Sequence, residues 1–324
     1  MMKAFKSFMN GIIDYAGMFP PANLELKPAF QNYLNYISSD DEWMMDKFVC
    51  SMKSFGTIAD TNTDVYKLLK NYTSERRVSF SLLLTGGKTA KEFLKSFETD
   101  LKQVNDFIGN NDVEINSFEV KIPNELFDKF NTNALKIFFK DYRDMLNSFD
   151  KQESSVFFEP PVNDNYKFVF EKFAHTAAEI IDENRKGFKL RTGGITPELF
   201  PSTEQVSFAL KTCRDNKVRF KATAGLHHPV RHYNDSVSTK MHGFLNIFGA
   251  GVLAYSNLLS LKEINEIIQD EHSVSFVFTE DKFKWNDIPA DADSITNARK
   301  EFVNSFGSCS FDEPKDDLKN LNLL

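Results

Sequence analysis

Two short stretches of this sequence carry the residues best suited to covalent chemistry. Phe188 and Leu190 alternate with Lys189 and Arg191, and later Val218, Phe220 and Ala222 alternate with Arg219, Lys221 and Thr223. In an extended chain successive side chains point to opposite faces, so each stretch predicts a strand with one apolar and one cationic face. An unprotonated lysine amine can attack a carbonyl carbon and form an imine. A neighbouring cation and a dry setting both favour the unprotonated form. Lys189 beside Arg191, with Lys221 on the next strand, therefore reads as a nucleophile with charged neighbours. The same residues also read as a clamp on an anionic substrate, and that alternative stays open.

These side chains need elements to hold them. The residues between the two stretches, about 203–215, place Val206, Leu210 and Cys213 on one helical stripe. Strand, helix and strand of this length form a parallel crossover. Covering helices explain the apolar face. The opposite face is cationic and cannot be a plain packed core. Both strands end in glycine-containing loops, Thr192-Gly193-Gly194 and Ala224-Gly225. Gly193-Gly194 either brings backbone N–H groups to an anion, ahead of a helix N-terminus, or makes a tight turn.

The rest of the chain repeats this alternation. Strands are predicted at Ile12–Ala16, Phe48–Lys53, Val78–Leu84, Phe118–Ile122 and Val156–Glu159, then the two above, and last at Gly243–Phe248. Helices fill most of the intervals. Eight such units predict an α/β fold, a (βα)8 or TIM barrel over about 11–262, in a chain 1–324 that forms a single domain. A C-terminal extension, about 272–324, would add a hairpin of Val274–Phe278 with Phe283–Trp285, a helix at about 293–305 and a tail helix after Pro314. Alternatively the hairpin strand near 276 is the eighth, leaving Ile12–Ala16 outside.

Such barrels carry their sites at the C-terminal ends of the strands. With the apolar faces turned to the helices, the polar residues facing the axis there are Asp14, Ser51, Ser81, Glu119, Lys121, Glu159, Lys189, Arg191, Lys221, Thr223 and Asn246. Buried charges must pair, solvate or meet a ligand. A salt-bridge network around water is the plain explanation. The sharper one makes Lys189 and Lys221 catalytic, with Glu159 and Asp14 as proton shuttles. A small anionic substrate would then be bound by Arg191, Thr192, Gly193, Gly194, Thr223, Lys121, Glu119, Asn246, His227 and His228.

On these residues the chain resembles the class I aldolases of the deoxyribose-phosphate aldolase type. Their sixth strand has a Lys-Thr-x-Thr-Gly context and their seventh a Lys-Ala-Ser-Gly-Gly context. Lys189-Leu190-Arg191-Thr192-Gly193 and Lys221-Ala222-Thr223-Ala224-Gly225 fall in matching order, and Ile13-Asp14-Tyr15 is similar to the first strand. The resemblance implies a carbon–carbon lyase with the imine on Lys189 and Lys221 depressing its pKa. The family's serine- and glycine-rich phosphate loop after strand eight would here be Phe248-Gly249-Ala250-Gly251, without serine. That departure points away from a phosphorylated sugar.

His227, His228 and His232 follow the seventh strand. With Glu159 or Asp14 they could ligate a divalent metal and serve a metal-dependent lyase, isomerase or hydrolase. They lack the usual ligand spacings, so no metal residue and no cofactor is assigned. One of them reads more simply as an acid–base group or an anion contact. A non-enzymatic barrel that binds a small anion is the third reading. Gly307-Ser308-Cys309-Ser310 looks like a nucleophile loop, but Asp312 capping a helix with Pro314 in its first turn explains it better.

The totals exclude some classes. A net charge of −7 and a pI near 5.5 argue against nucleic-acid binding. The longest apolar run, 243–259, is broken by Asn246, Ser256 and Asn257, so no membrane partner is expected. Three scattered cysteines and no leader pattern suggest a cytoplasmic protein. A homo-oligomer is left open.

Overall fold

A computed structural model describes residues 1–72, 77–108, 113–131, 133–149 and 154–324. Among them, eight parallel strands close into a barrel. Seven were expected: β1 (Ile13–Tyr15), β2 (Met45–Ser51), β3 (Val78–Leu83), β4 (Val113–Lys121), β5 (Ser155–Glu159), β6 (Lys186–Arg191) and β7 (Arg219–Thr223). Next come a small hairpin of β8 (His232–Asn234) and β9 (Thr239–Met241), and a separate antiparallel sheet of β10 (Phe276–Phe278), β11 (Lys282–Trp285) and β12 (Ile288–Asp291). The barrel closes with β13 (Val303–Ser308), which pairs with β7 on one side and β1 on the other.

The helices follow in chain order. They are α1 (Lys3–Met9), α2 (Leu26–Tyr36), α3 (Met52–Ala59), α4 (Asp64–Asn71), α5 (Ala90–Ile108) and α6 (Ala134–Phe149). Then come α7 (Tyr166–Ile180), α8 (Thr203–Asp215), α9 (Phe244–Asn257), α10 (Leu261–Gln269), α11 (Ala292–Glu301) and α12 (Asp312–Asn320).

The eighth strand is thus not Gly243–Phe248. Those residues begin α9, which is buried on all sides from Phe244 to Ala254. A helix without a wet face has no polar stripe, and its apolar run mimics a buried strand. Helix α9 can lie so close because it carries Gly251: a Cβ there would come within 2.3 Å of Val303 Cγ1. The expected hairpin is present, with β12 as a third strand. This small sheet precedes the closing strand, so the residues after 272 complete the barrel rather than extend it.

The abundant phenylalanine fills the layer between strands and helices. Phe30, Phe48, Phe55 and Phe80 meet on one side, Phe139, Phe158 and Phe173 on another, and Phe170, Phe188 and Phe220 on a third. Phe306 of β13 stacks on Phe244 and touches Phe248 of α9. The outward residues of each strand are spent on this packing, which leaves the inward ones free to be polar.

Candidate active site

Strands β6 and β7 pair so that Lys189 lies beside Lys221, and Arg191 beside Thr223. Phe188, Leu190, Phe220 and Ala222 are fully buried in the hydrophobic core. The period-two reading therefore holds at both strands.

Inside the barrel the two lysines belong to one ladder of alternating charge. At the mouth, Lys189 Nζ lies 3.3 Å from Glu159 Oε2 and 2.8 Å from Glu119 Oε2. The other oxygen of Glu119 is 2.7 Å from Lys221 Nζ. Below, Lys221 donates to Asp14, which lies 3.5 Å from Lys47 Nζ, and Lys47 donates to Asp46. Hydroxyls tie the rungs. Ser81 Oγ donates to Glu119 Oε1 at 2.6 Å, Ser117 Oγ to Ser81 Oγ at 2.7 Å, and Ser305 Oγ to Asp14 Oδ2 at 2.7 Å. The Phe157 ring, 5.6 Å from Lys221 Nζ, closes the interior on that side.

The lysines share Glu119 but differ in setting. Burial alone would lower the Lys221 ammonium, but Asp14 and Glu119 outweigh it and hold the group above the ordinary lysine range. Burial would likewise raise Glu119, yet Lys189 and Lys221 hold its carboxyl well below the usual carboxylate range. Asp14 is also held low, burial being offset by Lys221 and Lys47. Lys189 stands at the upper end, where it lines a cavity of about 530 Å³.

That cavity opens at the C-terminal ends of the strands. Glu119, Lys189, Arg191, Gly194, Thr223, His227 and His228 line it, so seven of the expected site residues meet there. Its walls are largely apolar: Phe19, Pro20 and Pro21 after β1, Ile195 and Leu199 after β6, and Val237 and Met241 from the β8–β9 hairpin.

The other expected residues fall elsewhere. Glu159 backs the cavity between Lys189 and Arg191, with Arg191 Nε 3.7 Å away. Asp14 is fully buried beneath, where it holds Lys221. Lys121 points outward, its side chain 79% exposed and 3.9 Å from Glu159. Thr192 Oγ1 donates to the carbonyls of Thr223 and Ala224, tying one loop to the next. Gly193 serves close approach: a Cβ there would lie 2.9 Å from Gly225 Cα. The nearest following helix of any length, α8, has its N-terminus taken by a Ser202–Gln205 capping box, so the glycine turn leads to no open anion seat. Asn246 is the clearest correction. It sits on α9, accepts from the Arg231 N–H and donates to the Ile267 and Asp270 carbonyls, and so braces loops away from the cavity. Ser51 caps α3 instead of facing a ligand.

Relocating the eighth strand also changes the loop after it. That loop is Ser308-Cys309-Ser310, which carries serine, and not Phe248-Gly249-Ala250-Gly251. Its hydroxyls are used locally: Ser308 Oγ donates to the Ser310 carbonyl, and Ser310 Oγ accepts from the Glu313 N–H. Asp312 is therefore not the cap: the N-cap position is Phe311, which offers no side-chain cap, and Pro314 does sit in the first turn. Two acids, Asp312 and Glu313, open that helix and disfavour an anion there.

Helix α12 supplies residues the sequence reading missed. Glu313 Oε2 lies 2.9 Å from His227 Nδ1, and Asp317 Oδ2 lies 2.6 Å from His228 Nδ1. Each histidine is thus held by a carboxylate. Among the described residues, no group of three or more His, Cys, Asp or Glu side chains is arranged to hold a metal ion. The thiol of Cys309 sits 3.9 Å from His227 Nε2, and burial pushes it above its ordinary pKa, which keeps it protonated. Among the described residues, no helix is long and apolar enough to cross a membrane.

No family model matches this sequence, and comparison with curated proteins finds no match. Among solved structures the chain is similar to one described as the unique tetrameric structure of deoxyribose phosphate aldolase from Aeropyrum pernix. The likeness has 12% identity and a TM-score of 0.45, and covers 69% of this chain and 80% of that one. It is slight, and the barrel is established by its own strand pairing.

Proposed function

We propose that this protein is a carbon–carbon lyase of the aldolase kind, acting on a small anionic oxo compound through an imine on Lys189. The observation that carries the reading is the place of Lys189. Its amine lies at the top of an internal charge ladder, against Glu119 and Glu159, and lines a largely apolar cavity.

The chemistry follows from who can accept protons. Glu119 is locked between two ammonium groups and is a poor base. Glu159 takes the proton from Lys189, and the freed amine attacks the substrate carbonyl. The added nitrogen passes one proton to the new alkoxide, and the resulting hydroxyl takes the proton held by Glu159 and leaves as water, giving an iminium ion. The adjacent carbon–carbon bond then breaks. Its electron pair flows into the iminium to form an enamine, the hydroxyl proton passes to a base, and an aldehyde departs. Protonation of the enamine and hydrolysis return the amine. Lys221 stays protonated throughout and keeps Glu119 ionised. Arg191, at the rim beside Thr223, faces the substrate's anionic group.

Borohydride reduction in the presence of pyruvate tests this. The wild-type protein should gain an irreversible covalent mass, and Lys189→Met should gain none. A wild-type protein that stays unmodified rules the imine out. The complete pairing of Lys221 and Lys189 with carboxylates favours a second reading, a barrel that binds an anion through Arg191 without covalent chemistry. In that case pyruvate would bind, Arg191→Gln would abolish binding, and no adduct would form.

A further inference from the structure

We propose that His227 is the base that takes, and the acid that returns, the proton on the carbon beside the imine, and that Glu313 of the C-terminal helix positions it. This rests on the imine reading and adds a group the ladder does not contain. After cleavage the enamine carbon must receive a proton, and in the condensation direction, as in exchange, a base must remove one. Glu119 and Glu159 are both engaged with cations on the amine side. His227 lines the same cavity and is 9% exposed.

Its orientation follows from its partner. A carboxylate only accepts, so the His227 Nδ1 within 2.9 Å of Glu313 carries the hydrogen. Nε2 is then left with its lone pair. The Cys309 sulfur lies 3.9 Å from Nε2 and 4.0 Å from Nδ1, too far and too evenly placed to engage the lone pair strongly. Burial lowers the His227 pKa despite the nearby carboxylate, which keeps the ring neutral and able to accept at neutral pH. His228 fits the role less well. Its side chain is 37% exposed and it packs edge-on against His232.

Helix α12 is itself anchored. Tyr36 Oη donates to Asp312 at 3.0 Å, Lys315 Nζ lies 3.4 Å from Asp41, and His228 holds Asp317. Glu313 is therefore presented from a fixed element and not from a loose tail. In the step itself the C–H bond beside the iminium breaks and its proton goes to Nε2. The C–H electron pair becomes the new C=C bond, and the C=N π pair moves onto nitrogen. The reverse step returns a solvent proton.

Deuterium exchange reads this step without knowledge of the natural substrate. Pyruvate in D2O should lose methyl protons with wild-type protein and keep them with Lys189→Met. His227→Asn should slow exchange by about 10²–10⁴-fold, the usual worth of a positioned acid–base group, while the borohydride adduct on Lys189 persists. Glu313→Ala should slow exchange and move the His227 ¹⁵N signals toward the Nε2–H tautomer. Glu313→Asp should restore both. Undiminished exchange in His227→Asn, with the adduct formed, overturns the role of His227 and spares the imine. An adduct without wild-type exchange does the same. No adduct in the wild type overturns both readings.

Discussion

Lys189 and Lys221 are neighbours in the sheet, yet removing them should have unequal effects. Lys221 is the rung between Asp14 and Glu119. Its loss strands buried carboxylates, so Lys221→Met should cost about 3–5 kcal/mol in chemical denaturation. Lys189→Met leaves Glu119 with Lys221 and Glu159 with Arg191, and should cost clearly less. The same ladder sets a pH dependence. Asp14 and Glu119 have folded-state pKa values below their unfolded ones. Their contribution is present above the unfolded carboxylate value of about 4 and is lost as pH falls through the folded values. Urea midpoints should therefore drop steeply below about pH 4, and Glu119→Gln should flatten that limb. Lys221 is raised, so its contribution is present below about pH 10.4 and is lost as pH climbs beyond it. At this scale strand parity placed Lys189, Lys221, Glu119 and Glu159 inside, but it failed at the strand end, where Lys121 shares the parity of Glu119 and points outward. Lys47 was missed because β2 starts earlier than its apolar residues suggest. Glu313 and Asp317 were missed because their i, i+4 spacing marks one helix face without revealing which histidines it meets.

The elements show why the last part of the barrel was harder to read. Strand β13 runs Val-Asn-Ser-Phe-Gly-Ser, with a register shift after Val303. Its inward Ser305 serves Asp14, so the strand lacks the apolar alternation that would announce it. Helix α9 supplied the opposite error, an apolar run without a wet side. Their contact can be tested. Gly251→Ala would drive a Cβ into Val303 and should cost about 1–3 kcal/mol, seen as a lower urea midpoint. Ser202→Ala removes the α8 cap and should cost about 1 kcal/mol. Because α8 does not carry the reacting groups, that variant should still form the Lys189 adduct.

On the scale of the whole molecule, closure depends on a strand close to the C-terminus. Tyr15 of β1 pairs with Ser308, and β7 with β13, so residues 1–271 alone leave two open edges. Such a fragment should show no cooperative unfolding transition by circular dichroism, whereas a self-sufficient barrel ending near 262 would show one. Closure also sets Glu313 of α12 in the wall of the cavity that Lys189 lines. The architecture was visible early because alternating strands and helices leave few alternatives. Which strand came last was not, because closure is a long-range property. Peptide mass spectrometry can map where borohydride fixes pyruvate. An imine on Lys189 predicts modification there with Lys221 untouched. Modification at Lys221, or at surface lysines alone, would contradict it.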